Sequence, residues 1–363
     1  MAGFEGVKWA SQQMRYMLGG KKFDLLEHRA RVFSVSRSIH YGMFLCFDGI
    51  RFFCKKNGNS QLEVVLLNWH KNLERFSRGI AFNLAESQQQ LVPTVDELED
   101  VFIQKYFKDS SMRSFFEQMA SEEAQGYFRP FTVDEDLSIG VTFPENPSIR
   151  AVVCRFERYL GEPFTGVVVP HLVRAVGVNQ TGCLKLGVNY LMSFKAVDAA
   201  RKIYPRANSA LFLDDRPYAE LEERVVTEWD SSCCLFGFRD GTVVKIPESS
   251  LILPSVTIQG MMAILKERGV KVEEKDIPYG DLINKVKDKE LVVACSVGTA
   301  GILNRCQKLI LADEKGKTIA THQADQSHKL FRLLGEVKKH YWDIYRGKAD
   351  APQGIKLSKY KLP

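Results

Sequence analysis

The sequence predicts a mixed α/β protein of two domains. Three observations point there. The chain has 363 residues, more than one hydrophobic core usually serves, so two cores are expected. Apolar runs with strand character, such as QLEVVLL (61–67) and ELVVACS (290–296), alternate with helical patterns such as LMSFKAVDAARK (191–202). A turn-rich stretch, PENPSIR (144–150), separates two strand regions. The expected division is a small N-terminal domain over 1–151, a linker over 152–163 and a larger C-terminal domain over 164–363, whose strands form a mixed sheet.

Composition narrows the class. Apolar residues make up 45% and charged residues 26%, the proportions of an ordinary globular protein. The net charge of +6 is modest and its basic residues are scattered, apart from Lys356, Lys359 and Lys361 near the C-terminus. That pattern reads as a solvated surface, so neither nucleic acid nor a membrane is expected as a partner. None of the eight cysteines forms a C-x-x-C and most sit in apolar runs. They read as reduced buried thiols, and neither they nor the dispersed histidines suggest a metal site. No apolar run reaches membrane-spanning length. The N-terminus lacks the apolar centre of a secretory signal. The expected compartment is the cytoplasm, although the basic, mildly amphipathic leader is also compatible with an organellar transit peptide.

Taken in order, residues up to Arg31 suggest a short helix and a turn at Gly19-Gly20. RVFSV (31–35) and SIHYGMFLCFDGIRFF (38–53) have strand character, and Gly58 marks a hairpin turn before the returning strand. A helix is expected from about Trp69 to Leu84. Residues 94–125 are acidic and helical, with Thr94 as the cap ahead of Glu97. GYFRPFTVDEDLSIGVT (126–142) reads as a strand and a long loop. After Lys185 come a helix at 191–203, short strands around an Asp240-Gly241 turn, and a strand, turn and helix over 250–269. The C-terminal helix is expected at 325–346, ending at Gly347, with a mobile tail beyond it. There is no internal repeat, low-complexity block, G-x-G-x-x-G or P-loop.

The chemistry centres on GCLKLGVNY (182–190). A lysine at a strand end among small and apolar residues is desolvated. Burial disfavours the ammonium and leaves an amine able to attack a carbonyl and form a Schiff base. Taken alone, such a lysine is more often a surface residue.

Its company adds weight. K-x-G-x-N-Y resembles the lysine motif of the fold-type IV pyridoxal-phosphate enzymes, and looks most like that of the branched-chain amino acid aminotransferases. From Ser38 to Ala300 further segments resemble that family in its own order. They are HYG with FDGIR, NLERFSRGI (72–80), YFRP, LPSVT and SVGTAG (296–301). The resemblance implies pyridoxal 5′-phosphate as cofactor, joined to Lys185. It implies Tyr190 beside the ring oxygen, Glu228 on the ring nitrogen, and Val256, Thr257 and Thr299 on the phosphate. Glu228 would keep that nitrogen protonated, so the ring can act as an electron sink. For the substrate it implies Tyr41, Phe47, Tyr127, Arg129, Val141, Phe156, Thr299 and Ala300. Tyr127 would lie near the α-carboxylate and Arg129 near a side-chain carboxylate, which its planar fork suits. Aromatics in strands are commonly plain core, and an arginine in a strand is commonly half of an ion pair.

The chain also departs from the family pattern. Asp48 replaces a glutamate, Asn68 stands at the place read as the phosphate-clamping arginine, and Ser255 and Ile258 replace a glycine and an arginine. Val188 and Cys233 depart as well. Arg75 or Lys71 are the alternative bases for the phosphate.

The implied activity is transamination of branched-chain amino acids with 2-oxoglutarate, by a homodimer in which the loop to Val141 reaches the partner's pocket. Two other readings remain open at this point. One is another activity on the same scaffold, a D-amino acid transaminase or an aminodeoxychorismate lyase-like enzyme. The other is a degenerate, non-catalytic relative.

Overall fold

A computed structural model describes residues 3–42, 44–58, 61–175, 177, 180–216 and 218–363. The chain forms two units. The smaller comprises Phe4–Arg158, Leu184–Val188 and Lys356–Pro363; the larger comprises chiefly Tyr159–Cys183 and Asn189–Ile355. Two expectations are corrected. Residues 152–156, placed in a linker, finish the ten-residue strand Pro147–Phe156. Lys185, assigned to the larger domain, belongs to a short excursion that returns to the smaller unit.

The smaller unit is built on an eight-stranded sheet. From one edge its strands run Leu357–Lys361, Leu62–Leu67, Ile50–Lys56, Gln125–Asp134, Pro147–Phe156, Gln12–Met17 and Phe23–Glu27, with Lys8–Trp9 also paired to Pro147–Phe156. Every pairing is antiparallel. The helix Trp69–Phe82 lays Leu73, Phe76 and Ile80 into the core, the spacing its sequence period demands. Residues 95–121 are helical in pieces: Val95–Glu99, a π-helical stretch Asp100–Phe107, and Arg113–Ser121. Thr94 caps the first by accepting the Glu97 N–H at 3.1 Å. Phe102, Phe107, Phe116 and Phe128 then pack edge-on beneath the sheet.

Three local expectations fail here for one reason, which is that edge pairing is decided by distant chain. The leader is a hairpin, Gln12–Met17 with Phe23–Glu27, because Met14, Tyr16 and Leu18 alternate inward onto the core. RVFSV is irregular, with Phe33 and Val35 exposed. The tail expected to be mobile is a strand: Leu357–Lys361 pairs with Leu62–Leu67, and Leu362 is buried beyond it.

The larger unit carries a mixed nine-stranded sheet. Phe164–Val168 lies parallel to both Ser209–Leu213 and Ile302–Ala312, whereas Cys233–Phe238, Leu291–Gly298 and Ile302–Ala312 run antiparallel in series. The expected helix after Lys185 is Tyr190–Ile203. Val256–Glu267 is capped by Ser255, and Lys329–Arg346 ends at Gly347 with φ +69°. Among the described residues no helix is long and apolar enough to cross a membrane.

Candidate active site

In the smaller unit the segment Leu184–Val188 runs antiparallel beside Leu45–Phe47. The Phe47 N–H donates to the Lys185 carbonyl at 3.0 Å, the Gly187 N–H donates to the Leu45 carbonyl at 2.9 Å, and Cys46 bridges Leu186. This short ladder fixes Lys185. Its Nζ lies 5.0 Å from the centroid of the Phe47 ring. The Arg129 guanidinium stands 4.7 Å from the same centroid, and its Nη2 donates to the Tyr127 hydroxyl at 3.0 Å. Tyr127 and Arg129 are two apart on one strand, so the pleat sends both to one face.

Gly49 explains the D-G-I turn. A Cβ there would overlap the Tyr127 hydroxyl, so only glycine lets the phenol in. Asp48, just before it, is fully buried and is held by Arg75 and Asn72 from the helix Trp69–Phe82. Cys154 faces Tyr127 in register. Burial pushes its thiol up to about 11, against the pull of Arg129 and Arg51. It therefore stays protonated at neutral pH.

Phe156 is buried, with the Phe4 ring edge-on at 4.8 Å and the Arg51 guanidinium 4.9 Å from its centroid. It backs the wall. Phe4 also packs edge-on against Tyr127 at 5.2 Å. Sequence reasoning missed Phe4, because a lone aromatic in an N-terminal leader carries no period. Tyr41 and Val141 form a second, exposed group: the Tyr41 hydroxyl donates to the Ile139 carbonyl at 2.8 Å, and Val141 is 74% exposed on the same loop.

Asn68 is bonded to the C-terminal segment. It is buried at the start of the helix Trp69–Phe82 in the left-handed region. Its N–H donates to the Lys356 carbonyl at 2.8 Å and its Oδ1 accepts from the Lys356 N–H at 2.6 Å. Its work is to dock the C-terminal strand. The buried guanidinium on that helix is Arg75.

In the larger unit Glu228 is buried on the strand Val226–Trp229. Arg174 Nε lies 2.6 Å from its Oε1, and the Leu253 N–H donates to the same oxygen at 3.1 Å. Charges this deep persist only when paired, so Glu228 and Arg174 are read together as an ion pair. Arg174 was missed; the one signal was a basic residue inside the apolar run PHLVRAV. Asn189 exchanges two hydrogen bonds with Thr181, at 3.0 and 2.9 Å, which sets the start of the helix carrying Tyr190. Cys233, in place of an asparagine, gives its thiol to the Leu253 carbonyl.

Ser255 Oγ accepts the Ile258 N–H at 3.3 Å. The N–H groups of Val256 and Thr257, one residue apart in that first turn, have no hydrogen-bond partner among the described residues. Thr299 and Ala300 lie on the turn joining Leu291–Gly298 to Ile302–Ala312. These donors fit the group that the sequence resemblance implies. Paired N–H groups at a helix start suit a phosphate, and a buried carboxylate suits a protonated ring nitrogen.

Comparison with known proteins agrees. No family model matches the chain. It is 24% identical over 314 residues to the branched-chain-amino-acid aminotransferase 2 of Bacillus subtilis, covering 85% of this chain and 76% of that one. The chain is thus similar in sequence to branched-chain aminotransferases. Solved structures of that family share its fold. The branched-chain aminotransferase of Thermoproteus uzoniensis, solved with norvaline, matches with a TM-score of 0.68 at 19% identity, over 95% of this chain and 99% of that one. The branched-chain amino acid aminotransferase of Escherichia coli matches with a TM-score of 0.65 at 17% identity, over 95% and 98%. The chain thus has the mixed α/β fold of those structures.

Proposed function

We propose that the chain is a pyridoxal-phosphate-dependent aminotransferase that moves the amino group of branched-chain amino acids to 2-oxoglutarate. The observation that carries this reading is Lys185, fixed by the Phe47 and Gly187 backbone bonds with its Nζ against the Phe47 ring. Pyridoxal phosphate would supply an electron sink for the bond broken at the α-carbon. Lys185 would hold it covalently and, once released, would take the α-proton at Nζ and return it. Glu228, oriented by Arg174, would hold the ring nitrogen protonated. Tyr190 would hydrogen-bond the ring oxygen. Val256, Thr257 and Thr299 would receive the phosphate.

Phe47, with Tyr41, Val141 and Phe156, would give aliphatic side chains an apolar wall. Tyr127 and Ala300 would meet the α-carboxylate, and Arg129 a second carboxylate, so that glutamate is also admitted. Each methylene in such a wall discriminates by only about 1–3 kcal/mol, so leucine, isoleucine and valine should all be accepted. The chain would act as a homodimer, with the loop to Val141 serving the partner's pocket, and cysteines that form no disulfide suit a cytoplasmic setting.

The test is the absorption spectrum with added pyridoxal phosphate, before and after leucine, for the parent and Lys185→Ala. The parent should show a visible band that shifts with leucine; Lys185→Ala should show neither band nor turnover while keeping its unfolding midpoint. A Lys185→Ala protein with full turnover would remove the assignment.

A further inference from the structure

We propose that Asn304, held by Lys338, is a positioning residue for the Thr299–Gly301 turn, and so sets how tightly the site takes a substrate carboxylate. The inference rests on the proposed function, in which Thr299 and Ala300 meet phosphate and carboxylate. The turn is three residues long, because Gly298 pairs with Ile302 across the hairpin. It closes through Ile302 at φ +64°, a conformation that a β-branched residue adopts only under constraint. Something must therefore hold the turn in place.

Asn304 supplies that constraint from behind. It is buried two residues after Ile302, opposite Ser296 in the hairpin. Its side-chain amide fills the space that the missing Cβ atoms of Gly301 and Gly161 leave open, and a Cβ at either place would overlap it. The amide is itself anchored. Lys338 Nζ, from the helix Lys329–Arg346, donates to Asn304 Oδ1 at 3.0 Å and lies 3.7 Å from Glu162 Oε2. Glu162 in turn accepts the Arg305 backbone N–H at 2.6 Å and its Nε at 3.2 Å. The other flank is braced by the Ser232 and Ser296 hydroxyls, 2.6 Å apart. Burial lowers the pKa of Lys338, against the pull of Glu162. An ammonium retained at that cost calls for a reason, and the proposed mechanism gives it none.

The polar set is thus a bracket running from the helix through Lys338 and Asn304 to the turn. Its effect would be on position. A donor displaced by a fraction of an ångström still allows folding but binds a carboxylate less well.

The experiment uses the full chain loaded with pyridoxal phosphate, in four forms: parent, Asn304→Ala, Lys338→Met and Lys338→Gln. Binding of 4-methylvalerate, an unreactive carboxylate, is measured by calorimetry, together with KM, kcat and the unfolding midpoint. Asn304→Ala and Lys338→Met should weaken 4-methylvalerate and raise KM by roughly tenfold, with kcat little changed. Lys338→Gln, which keeps a donor for Asn304, should restore most of the loss. Unchanged 4-methylvalerate affinity in both Asn304→Ala and Lys338→Met would overturn the proposal, as would equal losses in Lys338→Gln and Lys338→Met. If either variant folds poorly, the other and the Gln comparison still decide. A parent that binds 4-methylvalerate but turns nothing over would count against the proposed function alone.

Discussion

Arg75 clasps the fully buried Asp48 carboxylate with two bonds, Nε to one oxygen at 2.9 Å and Nη2 to the other at 2.7 Å. The pair ties the helix Trp69–Phe82 to the segment that carries Phe47 and Gly49. Asp48→Ala would leave a buried guanidinium without its carboxylate. The expected loss is about 3–5 kcal/mol of stability, measured by denaturant unfolding. A loss below about 1 kcal/mol, the size of a surface pair, would mean the clasp does not secure that segment.

Asn68 is tied to Lys356 in both directions. Asn68→Ala should cost about 1–3 kcal/mol through the unpaired Lys356 N–H. It should also speed amide exchange across Leu357–Lys361, while pyridoxal phosphate affinity stays the same. A change in cofactor affinity without faster exchange would restore the phosphate role to this position.

Arg37 organises the loop after the strand Gln125–Asp134. Its guanidinium reaches Asp134 at 2.7 Å, the Gly140 carbonyl at 3.0 Å and Glu145 at 2.9 Å. Leu137, Ile139, Val141 and Phe143 stand exposed on that loop. Arg37→Ala should make it a preferred site of limited proteolysis and, in the homodimer proposed above, shift sedimentation toward monomer. Unaltered cleavage and sedimentation would show that the loop is held elsewhere and has no part in the proposed dimer.

His322 is buried on the strand Thr318–Gln323 and donates through Nε2 to the Val292 carbonyl at 3.1 Å. Burial lowers its pKa to about 4, against the pull of that carbonyl and of Asp325. The unfolded imidazole titrates near 6.5. Below that value the unfolded chain binds the extra proton, so stability is full above about pH 6.5 and is lost as pH falls toward 4. Between about pH 7 and pH 5 the loss should be roughly 2 kcal/mol. His322→Gln keeps a donor without the titration and should flatten that slope. An equal slope in both proteins would place the acid sensitivity in other groups.

Much was legible from local chemistry. Lys185 stood out because a lysine among small residues ahead of an N-Y pair is locally unusual, and no distant residue was needed to see it. The helix Trp69–Phe82 followed from its apolar period, and the Thr94 and Ser255 caps from one hydroxyl and the N–H three residues on. The N-terminal hairpin was hidden because alternating Met14, Tyr16 and Leu18 mean nothing until the strand Pro147–Phe156 lies beside them.

The amino-acid sequence by itself determined the two-core α/β class, the main helices and the lysine about which the chemistry is proposed. Only the tertiary structure decided which charges meet: Arg174 with Glu228, Arg75 with Asp48, and Lys338 with Asn304. Only it gave Asn68 its partner, 288 residues away. The physical reason is range. Caps and periods are satisfied within a turn or two of the chain. A buried polar group can be satisfied by any residue that folding brings near, and nothing in its own neighbourhood says which.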